Sequence, residues 1–467
     1  MSDVQTKQAV SEAEISMVLD TYMYMNNSGV DEGEALEQVI KSLEGHPDYA
    51  EGGVFHVEYT ILSEAVENPE IGALQIHCQS QQMGYDTGTA ACTFLDPSGD
   101  SVYVAYRGTG DGEWPDNGIA LTCTSSIQQK QALLYFDEAM EQLDIGGSQR
   151  VIVTGHSKGG NKAQFVTMET QYDHLIDACY TADGQGFSES AIEHWETEYG
   201  EAGFASRQSK LYGIHGENDY VSQLGISIIP QDQIRYVSTP VEKGNFAGYH
   251  DIKYLFASME VDQATGENVT IFHGQKNRDV MTQGELSKYA ATLSGEIMKL
   301  EPDQRGGCAA VFMQVMESGG EKRSGMNGEK LTFSNIQNFI MSGMPILVGS
   351  FVENKEGRDV IRTMFAGDSF VTTIPQNMFL RTDYSILQGE TKIMDEAARL
   401  VSKNAEELYE IKNQLPKYLS NGILIGYRMK SMSADLEKLA AGLRRASQTL
   451  TQIAENYQKW DCFLQNT

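Results

Sequence analysis

The sequence predicts an α/β protein: a mostly parallel, doubly wound sheet covered by helices on both faces, followed by a C-terminal α-helical hairpin. Three observations carry this expectation. Short β-branched and aromatic runs alternate with amphipathic stretches from about residue 73, and the alternation fades near residue 300. A glycine-rich bend, Gly155-His156-Ser157-Lys158-Gly159-Gly160, joins one such run directly to a helical stretch. Residues 429–460 carry apolar side chains at unbroken 3,4 spacing.

Residues 11–65 have helical spacing and few strand formers, which marks a helical lead-in. Residues 89–95 and 101–106 flank Asp96-Pro97-Ser98-Gly99-Asp100, a turn-rich sequence that predicts a hairpin. A helix is expected over 126–143, stopped by Gly146-Gly147, and a strand over 151–154. Further strands are expected at 177–181, 210–215 and 234–238. Strands separated by helices imply parallel pairing, because a parallel crossover needs a dozen or more residues. Four regions result: a lead-in over 1–70, an α/β domain over 71–299, a helical connection over 300–389 without a motif, and a hairpin over 390–467.

The balance of 35 Lys+Arg against 65 Asp+Glu leaves a net charge of −30. A nucleic-acid partner needs a basic stripe to displace counterions, and the chain offers none. The N-terminus lacks the basic start and apolar run of a secretory signal, and no stretch approaches a membrane span, so a cytoplasmic protein is expected as synthesised. Six cysteines without paired spacing read as free thiols, and neither a metal nor an organic cofactor is expected.

The chemistry centres on Ser157. A strand-to-helix elbow forces its backbone into strain, and glycines two residues away on either side let strand and helix approach closely, so that the hydroxyl projects at the sheet edge. A hydroxyl is a poor nucleophile at neutral pH and needs a positioned base and an orienting acid. The strand at 210–215 runs into Gly216-Glu217-Asn218-Asp219-Tyr220-Val221, which offers Asp219 as acid. The next strand leads to Asn245-Phe246-Ala247-Gly248-Tyr249-His250, which offers His250 as base. A competing assignment pairs Asp183 with His215 or His250. His156 reads as a structural residue of the elbow, while His174, His194 and His273 have no local constellation. The Thr109 amide, at the exit of the upstream strand, and the Lys158 amide are the expected oxyanion donors.

Tyr106-Arg107-Gly108-Thr109 with Trp114 and Asp116, then Gly155-His156-Ser157-Lys158-Gly159, then Asn218-Asp219-x-Val221 and His250 resemble the class 3 lipase group of α/β-hydrolases, in its bacterial lipase-like branch. The resemblance covers about residues 70–275. It implies ester hydrolysis of lipid or acyl-ester substrates by Ser157, Asp219 and His250, with Thr109 and Lys158 around the oxyanion and no cofactor. It also implies a mobile flap over 114–126. Lys158 departs from the leucine common at that position, and the interval from Asp219 to His250 is short. A catalytically inactive binding scaffold and a thioesterase or peptidase of the same fold remain open.

The seam Met429, Met432, Leu436, Leu439, Leu443, Ala446, Leu450, Ile453, Tyr457 and Trp460, with a weaker run from Met394 to Leu415, predicts the hairpin, turned by Pro416 to Gly422. Tyr457 and Asp461 share one helix face. That Tyr-x-x-x-Asp resembles the export signal of WXG- and LXG-type type VII secretion substrates, and a lipase-like head with such a tail is similar to reverse-arranged toxins of that pathway. The resemblance implies small helical secretion partners on the seam, an immunity protein, and export without a cleaved signal.

Overall fold

Seven strands of the described residues form one sheet in chain order: β1 (Gln75–His77), β2 (Ala91–Leu95), β3 (Ser101–Tyr106), β4 (Arg150–His156), β5 (Ile176–Ala182), β6 (Leu211–Gly216) and β7 (Ile234–Val237). The computed structural model describes residues 11–25, 30–85, 88–110, 113–239, 241, 247–256 and 282–318, with isolated positions between 342 and 444. The pairs β1–β2 and β2–β3 are antiparallel, and β3 through β7 are parallel. The turn between β2 and β3 is closed by its own polar groups. Ser98 Oγ donates to the carboxylates of Asp96 and Asp100, and Asp96 Oδ1 accepts from the Ser101 amide at 3.1 Å.

Helices cover both faces, which the alternation along β3 and β4 requires. Tyr103, Ala105 and Ile152 pack into one cluster, while Val102, Val104, Val151 and Val153 pack into the other. The first face is covered by α1 (Glu12–Tyr22), α2 (Leu36–Ser42), α3 (His56–Ala65) and the short α4 (Pro69–Gly72). Further along the chain come α5 (Trp114–Thr122), α6 (Ile127–Gln142), α7 (Lys158–Glu169), α8 (Glu189–Gln208) and α9 (Ile252–Phe256). α6, α7 and α8 cover the second face, and α9 joins the first. Burying a large apolar side chain stabilises by roughly 1.5–3 kcal/mol, so Leu19, Phe94, Phe136 and Trp195, each fully enclosed, anchor the two layers.

The N-terminal segment is thus a layer of the sheet domain. Ser11 starts α1 with a capping box, accepting from the Glu14 amide while the Glu14 carboxylate accepts from the Ser11 amide. Thr154 of β4 donates to both carboxylate oxygens of Asp20 at 3.0 Å, which ties the last turn of α1 to the strand that leads into the elbow.

Two further helices, α10 (Glu285–Met298) and α11 (Pro302–Ser318), follow. Asn218 Oδ1 accepts from the Leu286 amide at 3.2 Å, and Ser294 Oγ accepts from the Gly225 amide at 3.0 Å, so α10 lies on the loop after β6. α11 packs on α5, where a side chain at Gly118 would run into Met313.

The chain divides into two compact units, Met1–Thr373 and Ile374–Thr467. In the second unit Ser402 Oγ lies 3.3 Å from the Glu437 carboxylate and accepts from Arg444 Nη2 at 3.0 Å. The seam residues of the expected hairpin, together with Tyr457 and Asp461, lie outside the described residues.

Candidate active site

β4 runs straight into α7, and Ser157 occupies the junction with φ 59° and ψ −125°. This backbone conformation is costly for any residue with a Cβ, and the surroundings hold it in place. The Ser157 amide donates to the Ala182 carbonyl at 2.9 Å. At Gly155 a Cβ would sit 2.1 Å from the Gly159 carbonyl carbon, and at Gly159 one would sit 2.0 Å from the Tyr106 carbonyl oxygen. Both glycines are therefore demanded by close backbone approach.

His250 Nε2 lies 2.7 Å from Ser157 Oγ, and His250 Nδ1 lies 2.7 Å from Asp219 Oδ1. His250 sits in a tight helical turn, Ala247–His250, and Asp219 in the turn leaving β6. The second oxygen of Asp219 accepts from the Ser222 amide at 2.6 Å, so the carboxylate is held at both ends. Burial alone would raise Asp219 and lower His250. Their mutual attraction overrides it, holding Asp219 below the usual carboxylate range and His250 above the usual imidazole range.

His215 Nδ1 lies 3.7 Å from Asp183 Oδ1, beyond hydrogen-bond distance, and burial pushes His215 down to about 4. Its ring is turned back along the sheet, next to Gly213 and Tyr236. Asp183 sits at φ 49° after β5 and accepts from the Gly216 amide at 2.8 Å. Burial, with the charge of Asp219 beside it, holds its carboxyl well above the usual range. His174 and His194 lie on the far connections of the sheet, and His273 lies outside the described residues.

One group of side chains has metal-ligand composition. His156, Asp183 and His250 present ligand atoms within 4.8 Å of one another. Their nitrogens are committed to protein partners, since both those of His156 and both those of His250 lie in hydrogen bonds. A cation would have to displace Ser157 or Asp219, and the set is a poor metal site.

The exit of β3 reaches the elbow. A Cβ at Gly108 would stand 3.2 Å from Ser157 Cβ, and Thr109 follows, its Oγ1 accepting from Asn117 Nδ2 at 2.8 Å. Lys158, the first residue of α7, has a fully enclosed side chain whose Nζ pairs with Asp116 at 3.0 Å. Against burial, which would raise it, Asp116 is held low by the Lys158 ammonium and by donors from Ser126 and Gln128. A positive side chain at a helix N-terminus opposes the helix dipole, and Asp116 offsets it. Arg107 pairs with Glu113 at 2.8 Å. The segment expected as a flap includes the helix α5, whose start carries the Asp116–Lys158 pair, with the Glu113–Arg107 pair just before it, and which packs on α11.

Sequence reasoning did not find Tyr24 or Asn117. Tyr24 is 132 residues from its partner His156, and no local pattern marks it. The signal for Asn117 was available in its nearness to the strand exit. The five described cysteines are free, as the spacing predicts.

The fold and this site define an α/β protein with a buried serine and aspartate and a half-buried histidine aligned at the carboxyl edge of a mostly parallel sheet. A family model described as Mbeg1-like matches residues 67–209, a span that holds the elbow and ends before Asp219 and His250. No curated protein matches the chain. Among solved structures, the chain is similar to a fungal lipase–inhibitor complex at 14% identity and a TM-score of 0.27, covering 50% of this chain and 81% of that one. The native Rhizomucor miehei lipase propeptide complex is similar at 14% identity and a TM-score of 0.26, covering 50% and 70%. M37 lipase is similar at 12% identity and a TM-score of 0.28, covering 77% and 99%.

Proposed function

We propose that the protein is a serine carboxylic-ester hydrolase acting on lipid or acyl-ester substrates. The observation that carries this reading is the pair of 2.7 Å contacts that link Ser157 Oγ through His250 to Asp219. In the reaction His250 Nε2 takes the hydroxyl proton of Ser157 as Oγ bonds to the ester carbonyl carbon. The oxyanion is held by the amides of Thr109 and Lys158. Collapse breaks the carbon–oxygen bond to the alcohol, which departs with the proton from His250. Water then attacks the acyl-enzyme, gives its proton to His250, and releases the acid while Ser157 regains its hydrogen.

The test is hydrolysis of short p-nitrophenyl esters and reaction with a fluorophosphonate probe, wild type against Ser157→Ala. Turnover and labelling should both vanish in a variant that melts like the wild type. Retained ester turnover in Ser157→Ala rejects Ser157 as nucleophile, and a wild type inert to the probe favours an inactive binding scaffold. Comparing lipid esters with thioesters and amides separates a lipase-like enzyme from a thioesterase or peptidase.

We further propose, from the heptad pattern and the Tyr457/Asp461 spacing alone, that residues 390–467 bind small helical partners for type VII export of the chain as an antibacterial toxin, with an immunity protein in the producing cell. Co-purification with helical proteins encoded beside it, lost on Tyr457→Ala, is the expected result. A chain that neither binds such partners nor is exported rejects the export reading and leaves the hydrolase reading intact.

A further inference from the structure

Tyr24 lies just beyond α1, in the layer opposite α7, and is partly buried against the first-face core. Its hydroxyl is 2.7 Å from His156 Nδ1, and His156 Nε2 is 3.0 Å from the backbone carbonyl oxygen of His250. A carbonyl can only accept, so Nε2 carries the hydrogen of His156 and donates it. Nδ1 is then a lone pair, and the Tyr24 hydroxyl must be its donor. Each hydrogen position follows from the one before it. A Cβ at Gly108 would stand 2.1 Å from the Tyr24 oxygen, so the hydroxyl is wedged against the strand exit that precedes Thr109.

The rings of His156 and His250 stack at 4.9 Å between centroids and 27° between planes. A cationic His156 would repel the imidazolium that His250 becomes after taking the serine proton. Burial prevents this by pushing His156 down to about 3, so the stacked ring stays neutral. His250 is therefore fixed on two sides. Asp219 holds its ring through Nδ1, and His156 holds its backbone through the carbonyl.

We propose that Tyr24 and His156 are positioning residues of the active site, forming one hydrogen-bonded chain from a hydroxyl packed against Gly108 to the main chain of His250. The N-terminal layer then completes the catalytic array: it supplies the hydroxyl that sets both the tautomer of His156 and the height of His250 over Ser157. This rests on the hydrolase reading. A displacement of about 1 Å at a reacting group can cost about 100-fold in rate, which is the scale of effect expected when the chain is cut.

The experiment uses the full-length protein and three variants. Tyr24→Phe removes the hydroxyl and keeps the ring. His156→Leu removes both nitrogens, and His156→Gln keeps an amide that can donate to the His250 carbonyl. Rates are normalised to active sites titrated with fluorophosphonate, and melting is followed in parallel. Tyr24→Phe should lower kcat about tenfold or more with KM within about twofold, and His156→Leu about 100-fold, while His156→Gln should recover most of that loss. Two outcomes overturn the proposal with the hydrolase reading left standing: unchanged kcat per active site in Tyr24→Phe, or equal losses in His156→Leu and His156→Gln. Should His156→Leu fail to fold, Tyr24→Phe against His156→Gln still decides. A wild type inert to ester and probe rejects the hydrolase reading, and the proposal falls with it.

Discussion

Ser157 Oγ and His250 Nε2 meet at 2.7 Å although 93 residues separate them, one on the bend after β4 and the other on the turn that follows β7. The contact depends on the parallel sheet, because strands running in one direction deliver their exit loops to one edge. It also sets the acid–base behaviour expected of the site.

A general base must be neutral to accept a proton, so kcat/KM should rise with pH through the value of His250. Burial pulls that value down, but Asp219, with Asp183 and Asp251 adding, lifts it above the ordinary imidazole value of about 6.5. The acid limb of the profile should therefore have its midpoint above that value. Asp219→Asn removes the largest attraction, so the midpoint should move down while kcat falls by as much as about 10⁴. An acid limb in the same place in both proteins excludes His250 as the titrating base.

The elbow stores strain. Ser157→Ala keeps a Cβ at φ 59°, whereas Ser157→Gly relieves a conformation that costs about 1–3 kcal/mol, offset in part by the greater freedom of glycine in the unfolded chain. Urea denaturation should find the glycine variant more stable than the alanine variant by about 1 kcal/mol. Equal midpoints would mean that the bend is not strained.

Removing one partner of a buried ion pair leaves a charge without its counter-ion. Asp116→Ala, which strands the enclosed Lys158 ammonium, should destabilise by about 3–5 kcal/mol. The double variant Asp116→Asn with Lys158→Met should recover most of this. If the double variant is no better than Asp116→Ala, the pair contributes through something other than charge.

Lys162 is enclosed, with Nζ donating to the carbonyls of Gly88 at 3.1 Å and Thr89 at 3.3 Å, and burial pulls it down to about 7. Between that value and the roughly 10.4 of an unfolded lysine the unfolded chain binds the extra proton, so this group makes stability rise with pH. Lys162→Met removes that dependence. Relative to wild type it should be at its most favourable near pH 6 and lose ground steadily toward pH 10, as read from thermal midpoints. A difference independent of pH would show that the amine is not titrating in this window.

Much of the site is legible in the chain because each part lies in a local pattern. Ser157 is flagged by glycines at fixed offsets between a strand and a helix, and Asp219 and His250 lie in turns after later strands. The choice among carboxylates and imidazoles is not local. Asp183 and His215 also end strands, and they differ from Asp219 and His250 in where the turns aim them: His215 back toward Gly213, and Asp183 onto the Gly216 amide. Tyr24 carried no signal at all, because its contact with His156 exists only once α1 is laid across β4.

The sequence by itself determined the alternation of strands and helices, the strained bend at Ser157 and the acidic surface, since backbone propensity, glycine spacing and charge are properties of neighbours along the chain. The tertiary structure set the 2.7 Å contact between Asp219 and His250, the ion pair of Lys158 with Asp116, and the hydrogen bond between Tyr24 of the opposite layer and His156. Those are distances between segments far apart in sequence, and packing of the two layers against the sheet sets them.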